Sequence, residues 1–481
     1  MFLPSFPLRA ALLAALFSMT LAATSAPTIG RLWSLTETAR DNGHRLTLLA
    51  PPAAAPAAVD TGTSTIVCDL RQPCQEMVGF GGALTESSAW VLAQLPAAKR
   101  EEILRRYYDP KEGIGYTLAR TPVNSCDFSL HMWALDETPG DYDLLEFSLA
   151  PMRRWVLPLI HQVQDIAGPG HFHLLASPWS PPAWMKTNNR MDDGGSLRPE
   201  YRPAWADYFV RFVRAIETEE KIPVWALTVQ NEPEAKQTWE SCLYTPEEER
   251  DFVRDHLGPA LARAGLGGVH LLVCDHNRDI LYKRASAVYL DPVAARYVWG
   301  AALHWYVSED FSQSTRVHDA FPDKVILFTE GCVEGGPRPG VWASGERYAH
   351  NMIGDFRNWV CGWIDWNIVL DSRGGPNHVG NYCDAPVLVD VKTGQVTYEN
   401  SFYYQAQFSR FVPAGARRIV SSGGPPALES VAFVNPDGAV VAVVMNAADA
   451  PVDFGLSVEG ETIACRVPAH AIQTYVGAKS R

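Results

Sequence analysis

The sequence predicts a (β/α)8 TIM barrel with an attached antiparallel β-sandwich built from both chain ends. Two patterns lead there. From Val78 to about Phe411, short β-branched or aromatic runs alternate with helical stretches, the rhythm of βα units in a parallel sheet. On either side of that region the chain carries strand-like runs with no long helix between them. The organisation that follows is a signal peptide over 1–26, N-terminal sandwich strands over 27–76, the barrel over 77–410 and a C-terminal sandwich over 411–481.

In order along the chain, "MFLPSFPLRAALLAALFSMTLAATSAP" has a positive charge at Arg9, an apolar run from Ala10 to Leu21 and small residues suited to a signal peptidase. Cleavage is expected between Ala22 and Ala26, and export to the periplasm or beyond the cell follows. The apolar run is shorter than the ~20 residues a membrane-spanning helix needs, and no later segment reaches that length. Two alternating runs, "RLTLLA" and "STIVCDL", read as strands flanking an Ala/Pro-rich loop. Cys68 and Cys74 are close enough in sequence for a small hairpin disulfide, which geometry must decide. No CxxC or paired Cys/His spacing suggests zinc.

Eight runs then supply the barrel: "MVGFGGAL", "YTLARTPV", "HFHLLASPW", "VWALTVQNE", "HLLVCDH", "AALHWY", "KVILFTE" and "CGWIDWNIV". Between them lie "AAKREEILRRYYD", "MRRWVLPLIHQVQDI", "RPAWADYFVRFVRAIETEE" and "TPEEERDFVRDHLGPALARA". In the third, "WADYFVRFVRAI" has apolar residues recurring at three and four positions, as in a helix packed on a sheet. The last opens with a Thr cap, a Pro in the first turn and acidic residues beside the positive end of the helix dipole. "GFGGAL" is glycine-rich but lacks the GxGxxG spacing of a dinucleotide turn. After Phe411, "NPDGA" marks a turn between two strand-like runs.

A net charge of -13 repels phosphate backbones and anionic lipid, which argues against nucleic acid and polybasic membrane binding, while the short apolar runs argue against stable membrane insertion. Fifteen tryptophans and 17 tyrosines suit sugar faces as well as cores. There is no GxSxG, HExxH or GxxxxGK[ST], so serine-hydrolase, zincin and P-loop chemistry lack their minimal residues.

In a parallel barrel, function gathers where the C-terminal ends of the strands open onto one face. The ends of these runs are polar: Arg120 with Asn124 and Asp127 beyond it, Ser177 and Trp179, Asn231 and Glu232, His304 and Tyr306, Glu330, then Trp366 and Asn367. On this reading Glu232 is the last residue of the fourth strand. Carboxylates closing strands four and seven face each other across the mouth, the pairing that glycoside hydrolysis needs. A charged Glu330 is expected to raise the pKa of Glu232 and keep it protonated. Asn231 has an amide to offer a sugar hydroxyl, and Pro233 restrains the chain beside Glu232. Tyr306 and Arg120 are candidates to hold Glu330, His304 to orient by hydrogen bonding, and Trp179 with Trp366 to form a stacking wall. Cys126 and Cys332, flanking the site, are expected to be buried free thiols.

"GFGGALTESSAW", "RTPVNSCDFSL", "LLASPWSPPAWMKTN", "LTVQNEPE", "LHWY", "LFTEGCVE" and "WIDWNIVLDSRGGPNHVGNYCDAPVLVD", in that order, carry a resemblance from about Gly79 to Arg418. The chain resembles glycoside hydrolase family 30, the group that includes lysosomal acid β-glucosidase (glucosylceramidase) and bacterial relatives. The resemblance implies a retaining β-glycosidase that uses no metal or organic cofactor and acts on a carbohydrate or glycolipid. It implies Glu232 as acid/base, Glu330 as nucleophile, and Asp127, Trp179 and Asn381 as holders of the sugar. Arg120, His304, Tyr306 and Trp366 match positions around the nucleophile and the sugar face. Two departures are a short loop after the fourth strand, "AKQTWESCLYTPEE", and Gly331 after the nucleophile where the lysosomal member carries Ala. Within the same family the alternative reading is an endo-acting β-1,6-glucanase, and beyond it a β-xylosidase or β-fucosidase. An inactive secreted carbohydrate-binding protein is the non-enzymatic reading, set against the presence of both glutamates.

Overall fold

The computed structural model describes residues 30–53 and 64–479. The leader and its expected cleavage site lie outside them. All eight barrel runs form strands: Gly79–Ala83, Leu118–Val123, His173–Pro178, Val224–Thr228, His270–Asn277, Gly300–His304, Val325–Glu330 and Val360–Asn367, here strands one to eight. They close in chain order, the eighth pairing in parallel with the first. The glycines of "GFGGAL" serve this closure and not phosphate binding. A Cβ on Gly81 would lie 1.9 Å from the Leu118 carbonyl oxygen of strand two.

The predicted helices form at Ala97–Tyr108, Arg202–Thr218 and, with a break at Trp155, Ala150–Arg154 and Val156–Ala167. The fourth starts at Pro246, where Thr245 and Glu248 make a reciprocal capping box. It continues through a π turn at Val253–Leu257 to Arg263. Among the described residues no helix is long and apolar enough to cross a membrane.

The barrel interior is layered. Leu118, Leu175, Ala226, Leu272, Ala302, Leu327, Cys361 and Ile364 pack as an apolar plug. Two positions further along, the same inward faces carry Arg120, Ser177, Thr228, His304 and Thr329, because strand side chains alternate with a period of two. A buried polar layer therefore sits directly on the plug, beneath the mouth.

The sandwich joins both ends of the chain. Arg31–Ala39 pairs antiparallel with Ala471–Lys479 over nine residues, and Thr65–Glu76 pairs with Arg417–Gly423. One pairing departs from the antiparallel expectation, Val452–Val458 running parallel to the start of Thr65–Glu76. Ile66, Ile419, Val444, Leu456 and Tyr475 fill the core between its layers. The expected Cys68–Cys74 disulfide is absent and all nine cysteines are free. Cys68 points into this core, while Cys74 lies past the register shift in the same strand.

Candidate active site

The polar layer is organised by a residue that strand alternation hides. In strand five, Leu272 faces the interior, so Cys274 is the next inward position. Instead the register shifts there, with positive φ at Cys274 (75°) and Asp275 (44°). The irregularity turns Cys274 into the outer core and re-aims Asp275 inward. Asp275 is fully buried and accepts from Arg120 Nη2 (2.9 Å), Thr228 Oγ1 (2.6 Å) and Thr329 Oγ1 (2.7 Å), and pairs with His304 Nε2 (3.0 Å). Despite its burial, Arg120 and His304 hold its carboxyl well below the usual carboxylate range. The strand ends in the polar run "CDHN", but which of these residues turns inward is set only by the irregularity.

Arg120 is likewise sealed from solvent and distributes its guanidinium among four partners. Nη1 donates to Glu330 Oε2 (2.5 Å), Nη2 also donates to Asn231 Oδ1 (2.7 Å), and Nε donates to Ser177 Oγ (3.1 Å). It lies within strand two, three residues short of its end. Because Asn231 spends its oxygen on Arg120, its NH2 is left to the cavity. Glu330 closes strand seven as expected and accepts a second hydrogen bond from the Tyr306 hydroxyl (2.8 Å).

Glu232 does not end strand four, which stops at Thr228. The chain beyond is tied to its neighbours instead: Asn231 N donates to Pro178 O (2.8 Å) and Glu232 N to Asp275 O (2.9 Å). Glu232 adopts a positive φ of 47°, which turns its carboxylate over the mouth toward His304 Nδ1 (3.3 Å). The carboxylate oxygens of Glu232 and Glu330 and a His304 ring nitrogen lie within 4.8 Å of one another. Such a triad offers three ligand atoms to a cation. Part of its negative charge is offset by the Arg120 guanidinium, which Asp275 shares, and by His304, whose pKa is pushed up to about 9 by Glu330, Asp275 and Glu232 against the effect of burial.

The ionisation expected of the two glutamates needs correcting. Burial pushes Glu232 up, but the His304 hydrogen bond and positive charge outweigh it and bring it below the usual value. Glu330 is pushed up, foremost by burial, with Glu232 adding to it against His304 and Arg120. In the free site His304, and not Glu330, dominates the charge state of Glu232.

A cavity of about 420 Å³ opens above these groups. Asp127, Trp179, Asn231, Glu232, Tyr306, Glu330, Trp366 and Asn381 all line it, whereas Arg120 and His304 stand behind that surface. Trp179 and Trp366 stack on each other with ring centroids 5.2 Å apart. In the same lining, Asp127 Oδ2 accepts from Asn381 Nδ2 (2.9 Å) and from Asn377 Nδ2 (3.1 Å), a partner the sequence did not single out. Burial pushes Asp127 up to about 7. Cys332 lines the wall and Cys126 packs behind it; both thiols are held well above the ordinary cysteine value, Cys126 chiefly by burial and Cys332 by its neighbour Cys383 and burial. Gly331 has a steric reason, since a Cβ there would come within 2.7 Å of the Phe328 ring and 2.9 Å of Trp305. A larger hollow of about 730 Å³, lined among others by Met132, Trp184, Met191 and Tyr201, shares no residue with this cavity.

Residues 77–412 match the glycosyl hydrolase family 30 TIM-barrel domain, and residues 415–475 match the family 30 beta sandwich domain. The chain is 35% identical over 441 residues to lysosomal acid glucosylceramidase of Mus musculus, covering 86% of this chain and 84% of that one. Among solved structures, SrfJ from Salmonella typhimurium superposes with a TM-score of 0.88 at 35% identity, covering 93% of this chain and all of its own. An endo-beta1,6-glucanase superposes with a TM-score of 0.84 at 28% identity, covering 93% of this chain and 99% of its own. With a closed eight-stranded barrel, a sandwich joined to it and two glutamates facing each other across the mouth, this chain belongs to glycosyl hydrolase family 30 and is a glycoside hydrolase.

Proposed function

We propose that the protein is an exported retaining β-glucosidase, with Glu330 as nucleophile and Glu232 as acid/base, acting on β-glucosides with an apolar aglycone such as glucosylceramide. The observation that carries the reading is the approach of the Glu232 and Glu330 carboxylates to within 4.8 Å. Retaining enzymes hold the two groups ~5 Å apart, whereas inverting enzymes leave ~6.5–9.5 Å for a water.

In this reading Glu330, held by Arg120 and Tyr306, attacks the anomeric carbon. Glu232 donates a proton to the departing oxygen and later takes one from the incoming water. A substrate that fills the cavity removes water from Glu232, which favours its neutral, proton-donating form. His304 keeps a proton 3.3 Å away meanwhile. The NH2 of Asn231 meets the sugar 2-hydroxyl, Asp127 and Asn381 take the far hydroxyls, and the stacked Trp179 and Trp366 face the ring.

The aglycone assignment draws on the likeness to the mouse enzyme and on the site's shape. A cavity of about 420 Å³ suits one sugar, and Val307 and Trp239 give its lining an apolar part. The likeness to an endo-beta1,6-glucanase supports endo action on a β-1,6-glucan as the second reading. Export rests on the charged and apolar leader.

The test is a panel of glucosylceramide, a β-1,6-glucan and aryl β-glucosides, β-xylosides and β-fucosides, with product anomers followed by NMR. Release of the β-anomer of glucose, together with loss of at least about a thousandfold in kcat for Glu330→Gln, is the expected result. An α-anomeric product, or a Glu330→Gln rate within tenfold of wild type, refutes the mechanism. Preference for the glucan establishes the second reading.

A further inference from the structure

The residues that hold Glu232 form a closed circuit reaching well outside the cavity. Its backbone amide donates to Asp275 O at 2.9 Å, and its side chain meets His304, which Asp275 also holds. Asp275 occupies this place only because the chain at Cys274 and Asp275 takes two consecutive positive φ angles, a conformation that non-glycine residues adopt only where their surroundings enforce it. The enforcing group is on the outside of the barrel. The amide of Cys274 donates to Glu249 Oε1 at 2.9 Å, from the helix Pro246–Phe252 that follows strand four.

Glu249 is itself gripped by Arg284, of the helix Leu281–Tyr289 that follows strand five. Arg284 Nη2 and Nε donate to Glu249 Oε2 at 2.6 and 3.2 Å. Both side chains of this pair are sealed from solvent. The guanidinium then reaches back across, Nη1 donating to Glu234 Oε1 (3.0 Å) and to Tyr244 O (3.1 Å). Glu234 is two residues from Glu232, with Pro233 between them, and Tyr244 N donates to Pro233 O at 2.9 Å. The path Glu232, Asp275, Cys274, Glu249, Arg284, Glu234 thus returns to Glu232.

A buried ion pair is an expensive way to fill space, since apolar side chains of similar volume often serve stability as well or better. What an apolar pair cannot do is accept the Cys274 amide and hold Glu234 at the same time. We propose that the Glu249–Arg284 pair is a positioning device for Glu232, fixing the strand-five irregularity from behind and the loop after Glu232 from in front. Neither residue touches the cavity, and Glu234, which Arg284 grips, lines it two residues from Glu232, so the effect passes through the placement of the acid and its loop. The inference rests on the assignment of Glu232 as acid/base.

The experiment exploits the fact that a dinitrophenolate leaves without protonation while an alkoxide does not. kcat/KM is measured on 2,4-dinitrophenyl and alkyl β-glucosides for wild type, Glu232→Gln, Arg284→Lys and the double variant Glu249→Leu/Arg284→Met, with melting followed by circular dichroism. The Lys variant keeps the charge but cannot reach Glu249, Glu234 and the Tyr244 carbonyl together, and the double variant fills the site with apolar volume. Misplacing the acid should cost the alkyl glucoside at least about tenfold more than the dinitrophenyl glucoside in either variant, with Glu232→Gln showing the same bias more strongly. Equal losses on both substrates, wild-type rates on both, or loss of the fold in both variants overturns the positioning role. Absence of the bias in Glu232→Gln itself instead overturns the acid assignment, which keeps the two failures distinct.

Discussion

Arg120 and Asp275 meet at 2.9 Å at the base of the site with neither side chain exposed to solvent, so the charge that steadies Glu330 is itself fixed from below. Asp275 also holds His304 and, by its carbonyl oxygen, the amide of Glu232. One buried carboxylate therefore sets the geometry of both glutamates.

Asp275→Asn tests that dependence. The substitution removes a charge from beside Arg120 and His304 and places an NH2 against groups that already donate. Breaking one side of a buried ion pair costs ~3–5 kcal/mol, and a fall in melting temperature should register it. The negative charge of Asp275 also helps raise His304, so His304 should deprotonate more easily in the variant. An NMR titration of the His304 ring is expected to show its midpoint moved to lower pH, with kcat lower throughout. A variant that is less stable but keeps the wild-type kcat and His304 titration would limit Asp275 to a structural role.

Tyr306→Phe removes the hydroxyl that donates to Glu330 Oε1 at 2.8 Å and leaves the ring in place. A hydrogen bond to a charged group contributes ~1.5–3 kcal/mol, so kcat should fall by roughly ten- to a hundredfold while KM moves little. Pre-steady-state kinetics with an activated aryl glucoside locates the loss. On the proposed retaining mechanism it should fall on formation of the covalent intermediate, and an unchanged rate for that step would contradict the orientation of Glu330 by Tyr306.

Stability should peak in mildly acidic solution. Burial raises Asp127, Asp365 and Asp384 from 3.8 to about 7, and surrounding carboxylates raise His304 from 6.5 to about 9. All four hold their protons more tightly folded than unfolded. Their contribution is complete below the unfolded values and drains away as pH rises, between 3.8 and about 7 for the carboxyls and between 6.5 and about 9 for the histidine. Asp275 and Glu232 have the opposite sign, their depressed values adding stability that is lost on acidification below 3.8 and 4.5. Calorimetry across this range should show the melting temperature highest near pH 4–5 and declining toward pH 9. A maximum at or above pH 8 would contradict it.

The barrel was legible because eight apolar runs separated by helical periods admit few other closed arrangements, and every run became a strand. The mouth was legible for the same reason, because polar residues at strand ends have nowhere else to point. Asp275 was not, since it depends on a break in alternation that no local pattern announces. The position of Glu232 was read one strand too simply: its loop is placed by hydrogen bonds to Pro178 and Asp275, residues 54 and 43 positions away in sequence. Its ionisation escaped for a related reason, because His304 becomes its neighbour only when the barrel closes.

The nine-residue pairing between Arg31–Ala39 and Ala471–Lys479 bears on how the protein is made. The first of these strands leaves the ribosome some 430 residues before its partner, so it stays unjoined to the rest of the sandwich sheet while the barrel is being synthesised. With Arg31 beside Lys479 in the finished sheet, the two ends are close enough for a short peptide to join them. New termini opened in an exposed barrel loop would turn this latest contact into an early local hairpin, and refolding of such a circular permutant should be faster than that of the natural chain order.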